Sequence, residues 1–252
     1  MMYLSHLMID VGSNPDRPRP GRLWLRNVYH VHQRLSMAFL TPTQDGDDPR
    51  FLFRIDNSVE DDGPRGIILV QSDLAPDWDY AFHNACILLA AEPESSQYNP
   101  TFRAGEDLRF RIRVNLSKKS REHRKQESER TDVYGRPKSQ GKRVALTWEK
   151  DRGPEVAVQE WFASKAKRCG FSLCDFRMLH LGWVVGYRSK AKTQREEGSD
   201  KNSGCQMKFR SALLEGTLAV TDAPVFAQAV ASGIGSAKAF GFGLLSIAPV
   251  RI

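Results

Sequence analysis

The chain has 252 residues, 40% of them hydrophobic and 27% charged, and a formal charge of +7 at neutral pH. That balance excludes global disorder and fits one large domain or two small ones of roughly 100 residues each. No apolar run approaches the roughly 20 residues of a membrane helix, and the opening residues lack the basic and then apolar layout of a signal peptide, so a cytoplasmic protein with an anionic partner and no membrane contact is expected.

In chain order, Tyr3 to Asp10 reads as a strand. Asn27 can cap a helix running to about Phe39, with Val28, Val31, Leu35, Ala38 and Phe39 facing a core. Strands follow at Phe51 to Asp56 and Gly66 to Ser72, divided by the turn signal Glu60-Asp-Asp-Gly-Pro64. Asp79 to Ala90 reads as helix and Gln97 to Phe102 as a short strand. A second pass begins at Leu108 to Val114, where apolar and basic residues alternate with the period of a strand. Pro154 opens a helix to about Arg168 whose Val158, Trp161, Phe162 and Ala166 share one face. Phe176 to Tyr187 and Met207 to Val220 are long strands, Ala223 to Ala231 is helical, and Leu244 to Ala248 closes the pattern. The order β-α-β-β-α-β thus occurs twice, which predicts an α+β fold of two tandem ferredoxin-like domains with antiparallel sheets, residues 1–104 and 105–252.

The positive charge is concentrated. Between Ser117 and Arg143 stand ten basic residues, Lys118 and Lys119 first among them, against four acidic ones. Between Arg188 and Arg210 stand seven, including Lys190, Lys192 and Arg195, against three acidic ones. Either run alone can be a solvated loop. Two on one small protein suit a nucleic-acid backbone, whose binding is driven largely by counterion release.

Three groups of residues could carry chemistry. Tyr29 and His32 lie three apart on the first helix and so share a side of it, whereas His30 points toward the Arg34 side. A histidine near its working pH can move a proton while RNA's own 2'-hydroxyl attacks the adjacent phosphorus, and a tyrosine can assist. At this spacing such a pair usually marks a half-buried polar edge. Near the end, Gly233, Gly235, Gly241 and Gly243 with Lys238 form a loop that lets the backbone approach a ligand, or a glycine-rich helix end that packs tightly on a sheet. The acidic clusters Asp45 to Asp48 and Glu60 to Asp62 sit among turn residues, and Cys86, Cys169, Cys174 and Cys205 are scattered, so no metal site or cofactor is expected.

Met2-Tyr-Leu-Ser5, Tyr29-x-x-His32, Leu108 to Asn115 and the ending Gly233-Ile-Gly-x-x-Lys238-x-Phe-Gly-x-Gly-Leu-Leu-Ser-Ile-Ala-Pro249 appear in one order along nearly the whole chain. Together they resemble the CasE family, the CRISPR-repeat endoribonuclease subunit of type I-E Cascade. The resemblance implies two ferredoxin-like domains, metal-independent cleavage at the 3' base of a repeat RNA stem-loop, and retention of the product RNA beside other Cascade subunits. It implies His32 as the catalytic histidine and Tyr29 as its assistant, with the Arg188 to Lys201 loop in the hairpin's major groove and the Gly233 to Gly243 loop near the RNA. Some relatives carry a lysine five residues after the histidine, where this chain has Met37, so a cation at the scissile phosphate would come from Arg34 or Lys238. A non-catalytic RNA-binding subunit of the same fold is the alternative, although the aromatic pattern of an RNA-recognition motif is missing from the strands.

Overall fold

A computed structural model describes residues 1–14, 16–39, 51–60, 63–119, 143–149, 151–188 and 205–250. The strands are β1 (Met2–Ile9), β2 (Phe51–Glu60), β3 (Gly63–Ser72), β4 (Glu94–Tyr98), β5 (Asp107–Asn115), β6 (Ser117–Lys119), β7 (Arg143–Ala145), β8 (Phe171–Arg188), β9 (Cys205–Val220) and β10 (Leu245–Pro249). The helices are α1 (Pro20–Leu25), α2 (Val28–Ser36), α3 (Trp78–Phe82), α4 (Gly153–Arg168) and α5 (Ala223–Ser232). Two four-stranded antiparallel sheets result, ordered β2-β3-β1-β4 and β10-β5-β9-β8. Counted within its own half, each sheet runs fourth, first, third, second, which is the tandem ferredoxin-like arrangement that the repeated element order predicts.

Each sheet buries one face. In β5, Leu108, Phe110, Ile112 and Val114 turn inward against Val158, Phe162 and Ala166 of α4 and Phe226 and Val230 of α5, while Arg109 and Arg111 stay outside. In the other half, Val28, Val31 and Leu35 of α2 pack with Leu7, Phe53, Ile68 and Val70.

The differences from expectation are tertiary in origin. The expected helix to Phe39 ends at Ser36 and tightens into a 3₁₀ turn over Met37–Phe39. The expected helix over 79–90 is only Trp78–Phe82, five residues long, capped by the Asp77 side chain. Beyond it the chain is drawn onto the end of β1, where Ala90 N–H donates to Met8 O at 2.8 Å and Asp10 N–H to Leu88 O at 2.9 Å. Pairing with a strand satisfies backbone groups that a longer helix would otherwise bond internally. The strand expected at 97–102 is Glu94–Tyr98, and stops before Pro100, which has no N–H to offer a ladder. β8 begins at Phe171, earlier than expected, and holds its pairing with β9 through two bulges. α1, opened by Pro20, and the β6-β7 ribbon that joins the two ends of the 117–143 basic segment were not anticipated.

The sheets are joined by two arginines. Arg54, 4% exposed, pairs with Asp56 at 2.8 Å and donates to Arg111 O at 3.0 Å and Ser246 Oγ at 2.8 Å. Arg113 returns a bond to Ile55 O at 3.0 Å, and burial lowers its pKa despite the neighbouring Asp56. Gln71 of β3 adds a buried bond to Val230 O of α5 at 2.9 Å.

Arg54→Ala leaves the Asp56 carboxylate without its partner at the junction, which should lower unfolding stability by about 3 kcal/mol. The double variant Arg54→Ala/Asp56→Ala should recover part of that loss, because no orphan charge remains. Urea midpoints for the two variants measure this, and equal losses would show that the ion pair is not what the single variant breaks.

Candidate active site

Asn27 sets the start of α2: its Oδ1 accepts from Tyr29 N–H at 3.2 Å. The same side chain holds the end of β8, with Oδ1 accepting from Tyr187 N–H at 3.0 Å and Nδ2 donating to Tyr187 O at 3.2 Å. One asparagine therefore fixes the helix that carries His32 to the hairpin that leads into the second basic loop. Tyr29 is half-buried over Gly186 of that hairpin, where an added methyl group would come within 3.7 Å of the Tyr29 Cβ.

His32 sits on the adjoining face of α2 with its ring stacked on Phe51, centroids 5.1 Å apart at 18°, and next to Phe53 at 6.3 Å and 19°. Its Nδ1 is buried with no hydrogen-bond partner among the described residues. Desolvation by this aromatic wall lowers the imidazole pKa, so the neutral form is favoured. The ring borders a cleft of about 430 Å³ that also takes in Phe51, Gln71, Asp73, Gln228 and Lys238. Strands of the first sheet, α5 and the glycine-rich loop all contribute to it. Gln71, Asp73 and Gln228 carry no spacing signal that the sequence reading could have used. Only the fold brings them to the histidine.

The two candidate cations separate. Arg34 donates to Ala81 O at 3.0 Å and Asn84 Oδ1 at 2.8 Å, and borders a different groove with Trp24, His30 and Leu88. Lys238 lies in the His32 cleft, with its ammonium donating to Ser232 O at the C-terminal end of α5, where the helix dipole favours a positive charge.

The glycines of the loop do different work. Gly241, at φ 78°, lets the chain pass so close to Phe53 that a methyl group there would lie 3.2 Å from the ring, so it supports the wall behind His32. Gly233 and Gly243 allow still closer approach, where an added methyl group would lie 2.8 Å from Leu52 and 2.8 Å from Ile234 O, respectively. Gly235, at φ 97°, is exposed, and a β-carbon added there would meet nothing within 4 Å beyond its chain neighbours. It is the loop glycine with room for a ligand. Ser236 ties the loop to Asn115 at 3.3 Å and Ser117 at 3.0 Å, beside the exposed Lys118 and Lys119 of β6. Lys190, Lys192 and Arg195 and the acidic cluster at 45–48 lie outside the described residues, as does the side chain of Arg188. Among the described residues no three His, Cys, Asp or Glu side chains gather as a metal site would require, and no helix is long and apolar enough to cross a membrane.

A family model described as CRISPR associated protein matches residues 2–249. The chain is 28% identical over 248 residues to the CRISPR-associated endoribonuclease Cse3 of Thermus thermophilus, covering 98% of this chain and all of that one. It is 26% identical over 249 residues to the CRISPR system Cascade subunit CasE of Escherichia coli K12, covering 99% and 100%. In three dimensions it resembles a Cse3 endoribonuclease bound to a 19-nucleotide RNA with TM-score 0.70 and 26% identity, over 98% of this chain and 99% of that one. It also resembles the Thermus thermophilus Cse3 bound to an RNA that represents a pre-cleavage complex, at TM-score 0.65 and 25% identity over the same shares. With the family model spanning both sheets and the His32 cleft, the chain belongs to the CRISPR associated protein family.

Proposed function

We propose that this chain is an endoribonuclease that binds the stem-loop of CRISPR repeat RNA and cuts at the 3' base of the stem, and that His32 is its catalytic histidine. The observation that carries the reading is His32 stacked on two phenylalanines at the mouth of a cleft that also holds Lys238. Chains named as Cse3 endoribonuclease and as Cascade subunit CasE match it from end to end. With them come the expected partners: the repeat RNA before and after cutting, and other Cascade subunits in the cytoplasm.

In this scheme Nδ1 is walled in and Nε2 is the nitrogen left for chemistry. A neutral imidazole accepts the 2'-hydroxyl proton, the 2'-oxygen attacks the adjacent phosphorus, and the bond to the 5'-oxygen breaks. That oxygen takes a proton from water and leaves as a 5'-hydroxyl, His32 gives up its proton to the resulting hydroxide, and the other fragment ends in a 2',3'-cyclic phosphate. Lys238 offsets the negative charge that accumulates on the phosphoryl oxygens. Tyr29, one helical turn before His32, orients the RNA backbone. The Arg188 to Lys201 loop grips the stem and, through Asn27 at its base, places that stem against α2. The nucleophile belongs to the RNA itself, so the scheme uses neither a metal nor a cofactor.

His32→Ala should cut the cleavage rate by roughly 10²- to 10⁴-fold while hairpin affinity stays within a few-fold. RNA with a 2'-deoxy nucleotide before the cut should not be cleaved by the wild-type enzyme, because the nucleophile is missing. Excess EDTA should leave wild-type cleavage untouched. Normal cutting of the deoxy substrate would mean that water attacks, and the scheme would be wrong.

The depressed pKa sets the acid limb of the pH profile. Protonation disables the base, so the acid-side midpoint of kcat/KM should lie below 6.5, the ordinary histidine value. Half-maximal kcat/KM at or above pH 6.5 would remove His32 as the base. Phe51→Ala, which opens the wall, should move that midpoint upward.

A further inference from the structure

The distal part of the β8-β9 hairpin has two unlike faces. One face, with Val184, Gly186 and Phe209, packs toward α2 and the glycine-rich loop; Phe209 lies 4.7 Å from Phe240 and 5.8 Å from Phe242, ring to ring. The opposite face carries Trp183, Val185 and Tyr187 on β8, directly paired with Arg210, Lys208 and Gln206 on β9. Trp183 is 51% exposed and Tyr187 is 51% exposed. Lys208 Nζ stands 4.5 Å from the Trp183 ring centroid. The Arg210 guanidinium stands 3.6 Å from Trp148 and 5.6 Å from Trp183, and donates to Leu146 O at 2.9 Å. No carboxylate among the described residues pairs with either cation, and neither 183–187 nor 206–210 contains an acidic residue.

We infer that this outward face, centred on Trp183, is a stacking site for an unpaired RNA base that adjoins the recognised stem. The chemistry selects the occupant. An exposed indole offers a surface to any nucleobase, and the cations beside it suit the phosphates on either side of that base. A base inside an A-form stem has no free face, so only an unpaired nucleotide can stack here. Tyr187, four residues along an extended strand, lies roughly 13 Å away on the same face and provides a second aromatic surface along the path. Arg210, wedged against Trp148 and bonded to Leu146 O, is already ordered and loses little freedom on binding. Because the opposite face of the hairpin packs on α2, this site lies across the hairpin from the His32 cleft. It therefore holds a flanking segment and not the nucleotide being cut.

The inference rests on the endoribonuclease reading above, and binding measurements on two RNAs keep the two separable. One RNA is a stem-loop that includes the cut site, with a 2'-deoxy nucleotide before the cut so that it stays intact, and carries short unpaired extensions on both sides; the other is the bare stem-loop. Trp183→Ala should weaken binding of the extended RNA by about 5- to 150-fold, the effect of losing one base stack. It should leave the bare stem-loop within about two-fold of wild type. Trp183→Tyr should restore most of the extended-RNA affinity, and the thermal melt of both variants should match wild type, since the indole is half exposed. Equal losses on both RNAs would make the face a general electrostatic tether, and no loss on either would make it a surface for a protein or for nothing; each result overturns the inference. Failure of the wild-type chain to bind the bare stem-loop at all would instead count against the endoribonuclease reading.

Discussion

Arg54 is the constraint on which the rest of the molecule depends. A guanidinium taken out of water is costly unless its donors are met, and here they are met from both sheets: Asp56 beside it on β2, Arg111 O on β5 and Ser246 on β10. Arg113 makes the reciprocal bond into β2. β2 is therefore held against the second sheet by charged groups with fixed geometry, where a purely apolar contact could slide. The same strand carries Phe51 and Phe53, on which His32 stacks, and Phe53 in turn is met by Gly241 of the C-terminal loop. The surroundings of one imidazole are thus set by residues from both halves of the chain.

A second link runs through Asn27. Its side chain bonds both the first turn of α2 and the last residues of β8. The hairpin therefore meets α2 both through these bonds and through the packing of Val184 and Gly186. Three hydrogen bonds of one side chain join the helix that carries His32 to the end of β8, so on the proposed reading the strand leading to the stem-binding loop would be held against α2 before RNA arrives. Such preorganisation is what converts binding into a correctly aligned attack.

Much of this was legible in the chain, and what was not has specific causes. The repeated β-α-β-β-α-β order could be read because alternation in β5 and the apolar faces of α2 and α4 are local patterns. The short α3 could not, since its end is decided by backbone pairing with β1, which is some eighty residues distant in sequence. Tyr29 and His32 could be singled out by spacing, but nothing local told that Phe51 and Phe53 would form the wall behind the ring. The choice between Arg34 and Lys238 was partly within reach. Two residues along a helix is a rotation of about 200°, so Arg34 had to leave on the side away from His32, as its bonds to Ala81 and Asn84 show. The glycines were legible as a cluster but not as separate roles. Gly233, Gly241 and Gly243 are required by contacts with Leu52, Phe53 and Ile234, and Gly235 alone is open.

The Nδ1 of His32 has no hydrogen-bond partner among the described residues. Leaving a buried polar atom without a partner costs on the order of 1–3 kcal/mol, and a histidine that served only packing could be replaced by an apolar side chain at no such cost. Stacking on Phe51 and Phe53 recovers some of it, and the same rings lower the pKa by keeping water from the imidazole. For Nε2 to accept a proton, the ring must already carry its own proton on Nδ1, which is then the buried donor. The arrangement is poor for stability but suits the proposed role of a base that must be neutral before RNA binds. Burial raises the free energy of the imidazolium, which limits the drive to accept a proton, and the negative phosphate brought in by RNA then restores it. In the proposed scheme the base would thereby be kept neutral in the free protein and strengthened when substrate fills the cleft, with Lys238 there to balance the charge that the attack creates.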